Sequence, residues 1–284
     1  MTFSVTPAIS TSFGKYGEYV YSWTGKSVVS YLEWQQLPLY KFGLQADFTY
    51  NNFLISSNFF YGLSLKCGTM YDSDWGSKGV KTTYSISDNY AIRNYDFSLN
   101  LSYKINFDHF SLIPEISYSY YYDYFQSSNG EGWYGSENYS KNGKEVSWDS
   151  PYARHYTKLS RIELKRESSY FFIGLSCKIP IGSKVELSLG SFIAPYSYVY
   201  NSDFHRDDNG TGKDFYLNST QKIYFSRFME RINITYKINK HLSIPLNMNC
   251  ILGDIEKGLL EGYEQYGGTD VIQFIIKSGI QFII

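Results

Sequence analysis

The feature of this sequence that most constrains its fold is a strict alternation of apolar and polar residues, repeated in several segments. Residues 95–106 show it without an error, because every odd position is aromatic or aliphatic and every even one is Asp, Ser, Asn or Lys. Similar segments occur at 41–50, 53–68 and 272–284. Successive side chains of a strand point to opposite faces, so this period of two predicts β-strands with one apolar and one polar face.

Alternation alone also fits a soluble β-sandwich, but two observations favour a membrane barrel. Lys, Asp and Gln occur on the polar face in the middle of strands, as a wet lumen permits, and the apolar face is nearly free of charge, as lipid demands. Short turns alternate with long polar loops, as in outer-membrane barrels. The turns lie near 51–52, 106–108, 181–184 and 239–241, and the loops near 76–82, 127–152, 206–219 and 255–269.

The composition agrees with a barrel and excludes other classes. The 284 residues include 30 Tyr and 20 Phe, although the mean hydropathy is only −0.33. No apolar run approaches the roughly 20 residues of a transmembrane helix, whereas a barrel strand needs only about 9–11, apolar at every second position. The 26 Lys and Arg residues are balanced by 27 Asp and Glu, so no basic surface for nucleic acid is expected.

We therefore predict an all-β fold: a transmembrane antiparallel up-and-down β-barrel of ten strands that extends beyond the outer membrane surface. Residues 1–284 are expected to form one barrel domain. The strands are predicted at 3–21, 27–50, 53–74, 83–106, 110–126, 153–179, 185–205, 220–238, 242–254 and 270–284.

The three cysteines, Cys67, Cys177 and Cys250, lie on the apolar phase of their strands. We interpret them as small lipid-facing residues rather than disulfide partners. Their spacing to the histidines suggests no metal site, and neither a metal nor a cofactor is expected.

Two short polar motifs stand at the outer ends of predicted strands. Asp72 and Asp74 end the third strand, and Asp203 and His205 end the seventh. Spacing i, i+2 puts both side chains of a pair on one face, roughly 7 Å apart. Strands three and seven of ten lie nearly opposite each other, so the two pairs are expected to face one another across the barrel mouth.

These residue types can activate water. Asp203 can fix the tautomer of His205 and raise its basicity, so that the imidazole acts as a general base. Asp72 and Asp74 repel each other, so one can hold a proton while the pair orients a water and supports a developing oxyanion. Each motif by itself is more often a solvated strand end, but their joint placement predicts hydrolysis.

The same residues carry a family resemblance. Asp72-x-Asp74-Trp75, preceded by Met70, and Asp203-x-His205 resemble the two signature segments of the omptins, which are outer-membrane aspartate/histidine endopeptidases. The stretches 18–21 and 27–34 resemble two further omptin segments. The resemblance implies cleavage of exposed peptides on the extracellular side, with Asp203 and His205 activating water and the Asp pair assisting.

The resemblance also implies a specificity pocket. Glu18 would supply the charge that binds a basic residue before the scissile bond, and Met70 would line the pocket or pack at the rim. Omptins that prefer Arg or Lys usually have a second acidic residue where this chain has Asn201, so we expect a weaker or relaxed preference. The arginine-centred lipopolysaccharide-binding motif of the family is not recognisable around 118–125, so the resemblance does not support dependence on that lipid.

One conflict concerns the phase of the seventh strand. The odd positions of 185–189 are apolar and share their phase with Asp203 and His205, so strict alternation would aim the pair outward. A β-bulge restores the inward direction, and proline inside a strand usually marks such an irregularity. We therefore predict a bulge near Pro195.

The leading hypothesis is an outer-membrane endopeptidase that cleaves next to basic residues. The alternative is a catalytically inactive omptin-like barrel that serves as a surface adhesin or receptor. A narrow pore is a third and weaker possibility, because side chains fill the lumen of a barrel of this size.

Overall fold

The computed structural model describes residues 1–206, 214–262 and 265–284, whose strand segments form a closed antiparallel sheet. The segments are β1 (Thr2–Tyr21), β2 (Val28–Tyr50), β3 (Phe53–Gly62), β4 (Lys66–Trp75), β5 (Lys81–Tyr103), β6 (Ile105–Asn106), β7 (Ser111–Tyr134), β8 (Arg154–Thr157), β9 (Ile162–Ile181), β10 (Val185–His205), β11 (Phe215–Ile223), β12 (Arg227–Asn239), β13 (Leu242–Leu260), β14 (Tyr266–Gly279) and β15 (Gln281–Ile283).

These segments make ten barrel strands, because five of the strands consist of two segments each. The composite strands are β3 with β4, β5 with β6, β8 with β9, β11 with β12, and β14 with β15. β1 pairs with both β2 and β14, which closes the ring. The predicted fold class is confirmed.

Several strands run farther toward the outer end than predicted. β7 continues to Tyr134 and β13 to Leu260, through parts of the chain that were predicted as loops. The predicted loops at 206–219 and 255–269 include residues 207–213 and 263–264, which lie outside the described residues.

Exposed apolar side chains surround the part of the barrel away from the long loops. We call this surface the lipid belt, because large exposed apolar areas are unfavourable in water and favourable in a bilayer. No helix among the described residues is long and apolar enough to cross a membrane. The belt consists of the outward-facing positions of 3–13, 37–50, 53–65, 95–105, 110–120, 171–181, 185–196, 224–238, 242–252 and 272–284.

At the depth of the lipid belt, charged side chains of opposite sign cross the lumen. Lys41 Nζ lies 2.7 Å from Asp96 Oδ1, and Lys277 Nζ lies 3.6 Å from Asp96 Oδ2. Arg231 Nη1 donates to both oxygens of Glu115, at 2.8 and 3.0 Å. These contacts join strands that are not neighbours in the sheet, below the mouth of the barrel.

β10 contains a bulge at the predicted place, Pro195. Between Ile193 and Tyr196, β10 has one residue more than the segment of β9 that pairs with it. The buried, inward-facing positions of β10 are even-numbered before the bulge and odd-numbered after it. This change of phase turns Asp203 and His205 toward the lumen.

β2 contains a similar bulge that was not predicted. The residues between Gln36 and Leu39 exceed by one those of the paired segment of β1, and Pro38 lies within them. The inward phase of β2 is even-numbered on the outer side of this bulge, so Trp34 is buried in the lumen with 0% exposure.

The interpretation of the cysteines is wrong for one of the three. Cys67 is only 1% exposed and lies in the interior, whereas Cys177 and Cys250 are partly exposed on the lipid-facing side. A register shift of β4 against β5 between Lys66 and Gly68 turns Cys67 inward. All three cysteines are free.

Candidate active site

The residues singled out from the sequence lie at the outer mouth of the barrel, beyond the lipid belt. They belong to three barrel strands: Glu18 to β1; Met70, Asp72 and Asp74 to β4; and Asn201, Asp203 and His205 to β10. The geometry of each group decides what chemistry the mouth can support.

Asp203 and His205 form a hydrogen-bonded pair. His205 Nε2 donates to Asp203 Oδ2 at 2.7 Å, and the imidazole stacks on the ring of Phe215, with centroids 4.5 Å apart and planes 9° apart. These two contacts fix the orientation of the imidazole. Because Nε2 is occupied, Nδ1 of His205 is the ring atom that can accept a proton from water.

Charges on three strands act on His205. Burial lowers its pKa, but the charge of Asp203 and the hydrogen bond to it, followed by the charges of Asp72 and Glu18, outweigh burial and raise the pKa to about 9. Asp72 and His205 are therefore within electrostatic reach across the lumen, although they lie on β4 and β10. The imidazole becomes a stronger base, and the fraction of His205 that is neutral increases as the pH rises toward 9.

The two carboxyl groups on β4 are half-buried, and their charges repel each other. Burial, and then the charge of Asp74, hold the pKa of Asp72 well above its usual range. Burial also raises the pKa of Asp74, against hydrogen bonds from Ser30 and Thr83. A pair in which one carboxyl keeps its proton can both donate to and accept from a water or a carbonyl oxygen.

Glu18 is held by a tryptophan. Trp34 Nε1 donates to Glu18 Oε2 at 2.8 Å, and Glu18 is 8% exposed. Burial, followed by the charge of Asp203, raises the pKa of Glu18 to about 8, while the positive charge of Arg166 opposes this shift. Glu18 thus gains its negative charge fully only at alkaline pH or beside a cation.

Met70 and Asn201 complete the sequence-predicted group. Each is only 1% exposed, Met70 in the apolar core and Asn201 on the inward phase of β10, next but one to Asp203. Neither amide atom of Asn201 has a hydrogen-bond partner among the described residues. A buried amide is stabilised by hydrogen bonding, so Asn201 is suited to bind a polar group of a substrate.

Arg166 of β9 was not identified from the sequence. It is fully buried, and its Nη1 donates at 2.6 Å to Oγ1 of Thr269, the register partner of Glu18. Its guanidinium lies 4.1 Å from the centre of the Tyr16 ring. Only its position on the inward face of β9 could have indicated its role. Residues 165–167 are Lys-Arg-Glu, so the apolar and polar faces of the strand cannot be distinguished there.

Tyr134 was also missed, because residues 127–152 were predicted as a loop. It lies at the end of β7, and burial followed by the charges of Asp72 and Asp74 raises the pKa of its hydroxyl. The phenol therefore lies near the carboxyl pair and keeps its proton. Among the described residues, no group of three or more His, Cys, Asp or Glu side chains could hold a metal ion.

Comparison with solved structures identifies the fold. The outer membrane protease OmpT from Escherichia coli is similar over 100% of this chain and 97% of that one, with a TM-score of 0.80 and 18% identity. The translocator domain of the autotransporter NalP from Neisseria meningitidis has a TM-score of 0.38 and 8% identity, over 99% and 88% of the two chains.

For the neisserial surface protein NspA, the TM-score is 0.29 and the identity 8%, over 99% of this chain and 96% of that one. No protein-family model and no curated protein sequence matches this chain. The similarity to OmpT shows that the chain has the fold of an OmpT-like outer-membrane β-barrel.

Proposed function

We propose that this chain is an omptin-like outer-membrane endopeptidase whose extracellular mouth hydrolyses exposed peptide segments. The observation that carries the proposal is the 2.7 Å hydrogen bond between Asp203 and His205, placed within electrostatic reach of the opposing carboxyl Asp72. An OmpT-like fold and an apolar belt below the mouth support the same function and an outer-membrane location.

In the proposed reaction, a water lies between Nδ1 of His205 and the carboxyl pair. His205 takes a proton from this water while the oxygen attacks the carbonyl carbon of the substrate, and Asp203 stabilises the imidazolium that forms. The protonated carboxyl of Asp72 and Asp74 donates to the developing oxyanion. His205 then gives its proton to the leaving amine as the C–N bond breaks, which restores the neutral imidazole.

We propose that Glu18 binds a basic side chain next to the scissile bond. A bound guanidinium or ammonium would favour the charged form of Glu18, which burial otherwise disfavours. Asn201 adds no charge, and buried Arg166 favours the charged form of Glu18 but offsets its negative charge with a positive one. The pocket therefore accepts Arg or Lys with a weaker preference than two carboxylates would give.

We further propose that cleavage does not require lipopolysaccharide. Two tyrosines at the outer edge of the lipid belt hydrogen-bond to acids. Tyr124 Oη donates to Glu163 at 2.6 Å, and Tyr120 Oη donates to Glu167 at 3.1 Å. Carboxylates repel lipid phosphates, so adding lipopolysaccharide to protein refolded in detergent should leave the rate unchanged. Cleavage that appears only after the addition would contradict this.

The test of the catalytic proposal is a cleavage assay with the chain refolded in detergent. Quenched peptides with Arg, Lys or a neutral residue at the cleavage position are compared between the parent and His205→Ala. We expect cleavage by the parent and none by the variant. Cleavage that survives the substitution would rule out the mechanism, and a folded parent that cleaves no peptide would favour the adhesin or receptor alternative.

A further inference from the structure

One side chain breaks the apolar pattern of the lipid belt. Glu230 of β12 is exposed on the lipid-facing side, between Phe228 and Ile232, which are 46% and 40% exposed. It lies six positions from Tyr224 and six from Tyr236, the aromatic residues near the two edges of the belt. Glu230 is therefore close to the middle of the bilayer.

A carboxyl group at this depth is costly unless it is partnered. Ser191, the register partner of Glu230 on β10, donates its hydroxyl to Glu230 Oε2 at 2.5 Å. The second oxygen, Oε1, has no protein partner among the described residues. No other carboxyl, amino or guanidino group faces lipid from the belt in the described part of the chain, so a further partner has to come from another molecule.

Symmetry indicates which molecule this is. Barrels inserted in the same direction can be related only by axes normal to the membrane, so equivalent residues of two copies lie at equal depth. The group at the depth of Glu230 on a second copy is its own Glu230 with Ser191. A carboxyl that carries a proton and a hydroxyl each provide a donor and acceptors, so this pair is complementary to itself.

The surface around the pair is apolar. Ser191 and Glu230 lie among exposed apolar side chains that include Leu175, Leu189 and Phe228. Hydrogen bonding between polar side chains is a recognised source of association within membranes, where the hydrophobic effect no longer drives it.

We propose that the lipid-facing surface around Ser191 and Glu230 is an interface through which two copies of this chain associate in the membrane. The Glu230 carboxyls of the two copies hydrogen-bond to each other or to the opposing Ser191, close to the two-fold axis. Each copy thereby satisfies the oxygen of Glu230 that its own chain leaves without a partner.

The chain contains its own reporter for this interface. Cys250 of β13 is the register partner of Glu230 and faces lipid, so the two Cys250 thiols of a dimer would lie near the axis. The assay uses the full-length chain with Cys67→Ala and Cys177→Ala, reconstituted into phospholipid vesicles and treated with a short bismaleimide. Dimer formation is read on a denaturing gel, and correct folding is read from heat-modifiable migration.

We expect efficient crosslinking through Cys250 and a fall of about tenfold in Glu230→Leu, the size that one polar pair in a membrane supports. Glu230→Gln should retain part of the crosslinking, because an amide still donates and accepts. The matched control replaces Cys250 by Ala and adds Ser57→Cys on β3, a lipid-facing position on the far side of the barrel.

Equal crosslinking through Ser57→Cys would show that contacts are random, and unchanged crosslinking in Glu230→Leu would show that the carboxyl is not involved. Either result overturns the proposal. The proposal is also overturned if the molecular mass of the parent in vesicles is that of one chain at every protein-to-lipid ratio. Because Glu230→Leu makes the lipid-facing surface more apolar, a failure to fold is not expected, and the migration assay would detect it.

Discussion

Two groups of charged residues line the same lumen, and they differ in how their charges are balanced. In the lower group, at the depth of the lipid belt, carboxylates lie within ion-pair distance of Lys or Arg. In the upper group, at the mouth, four acids surround a single base, His205. The lower group comprises Lys41, Asp96, Glu115, Arg231 and Lys277, and the upper group Glu18, Asp72, Asp74, Asp203 and His205.

The difference separates structure from chemistry. Paired charges hold the walls of the barrel together, as in the lower group. At the mouth, the charges of neighbouring acids contribute to the raised pKa of Asp72, of Glu18 and of His205, and such perturbed groups cluster at functional sites. Substitutions in the upper group should therefore change the reaction, and those in the lower group should change stability.

The largest effect is expected from Asp203→Asn. An amide cannot hold His205 in the same tautomer or stabilise its imidazolium, so kcat should fall by about a hundred- to ten-thousandfold. Urea unfolding in detergent should be almost unchanged. A substantial loss of stability in this variant would place Asp203 in the structural class.

Lys41→Met tests the lower group. Without Lys41, the buried Asp96 keeps only the longer contact to Lys277, at 3.6 Å, so the free energy of unfolding should fall by up to about 3–5 kcal/mol. The protein that remains folded should cleave peptides at the parental rate. Lys237→Met, in an exposed pair with Glu186, is the control and should cost at most about 1 kcal/mol. Equal losses in both variants would contradict the distinction.

The pH dependence of kcat/KM sharpens the comparison. His205 works as a base only when neutral, and its raised pKa of about 9 means that this form increases as the pH rises through the range 7–9. The rate with a neutral peptide should therefore increase over this range. A limb centred near the ordinary histidine value of about 6.5 would show that the acids of the mouth do not act on His205.

The smallest effect is expected from Asn201→Asp. A second carboxylate beside the pocket should raise the kcat/KM ratio for Arg over neutral peptides by about tenfold, the size of one charge-assisted contact. In the parent, the same ratio should rise as Glu18 ionises through pH 8. Asn201→Ser is the neutral control. If neither Asn201→Asp nor a rise in pH changes the kcat/KM ratio for Arg over neutral peptides, the basic side chain binds away from Glu18 and Asn201.

The sequence allowed the ten strands to be predicted, because a wet lumen and lipid impose opposite requirements on alternate positions. The bulge in β10 could also be predicted, since apolar positions conflicted with the phase of His205 and Pro195 offered a place for it. The matching bulge in β2 escaped prediction because no residue on its outer side had a known direction that conflicted with alternation.

Other errors arose where the period of two was interrupted without a visible marker. Cys67 follows a break between β3 and β4, so its phase could not be extrapolated from the strand before it. Tyr134 was missed because polar strand ends that project into water resemble loops. Glu230 breaks the alternation, because a charged residue stands where the period requires an apolar one, and only the structure shows that it faces lipid.

The extra residue in β10 has a consequence for how such a site can arise or be lost. Each residue removed from a strand exchanges its two faces beyond that point. Deleting one residue between Ile193 and Tyr196 would move Asp203 and His205 to the outer surface without changing either of them. The number of residues before the pair, and not only its identity, therefore decides on which side of the barrel wall it lies.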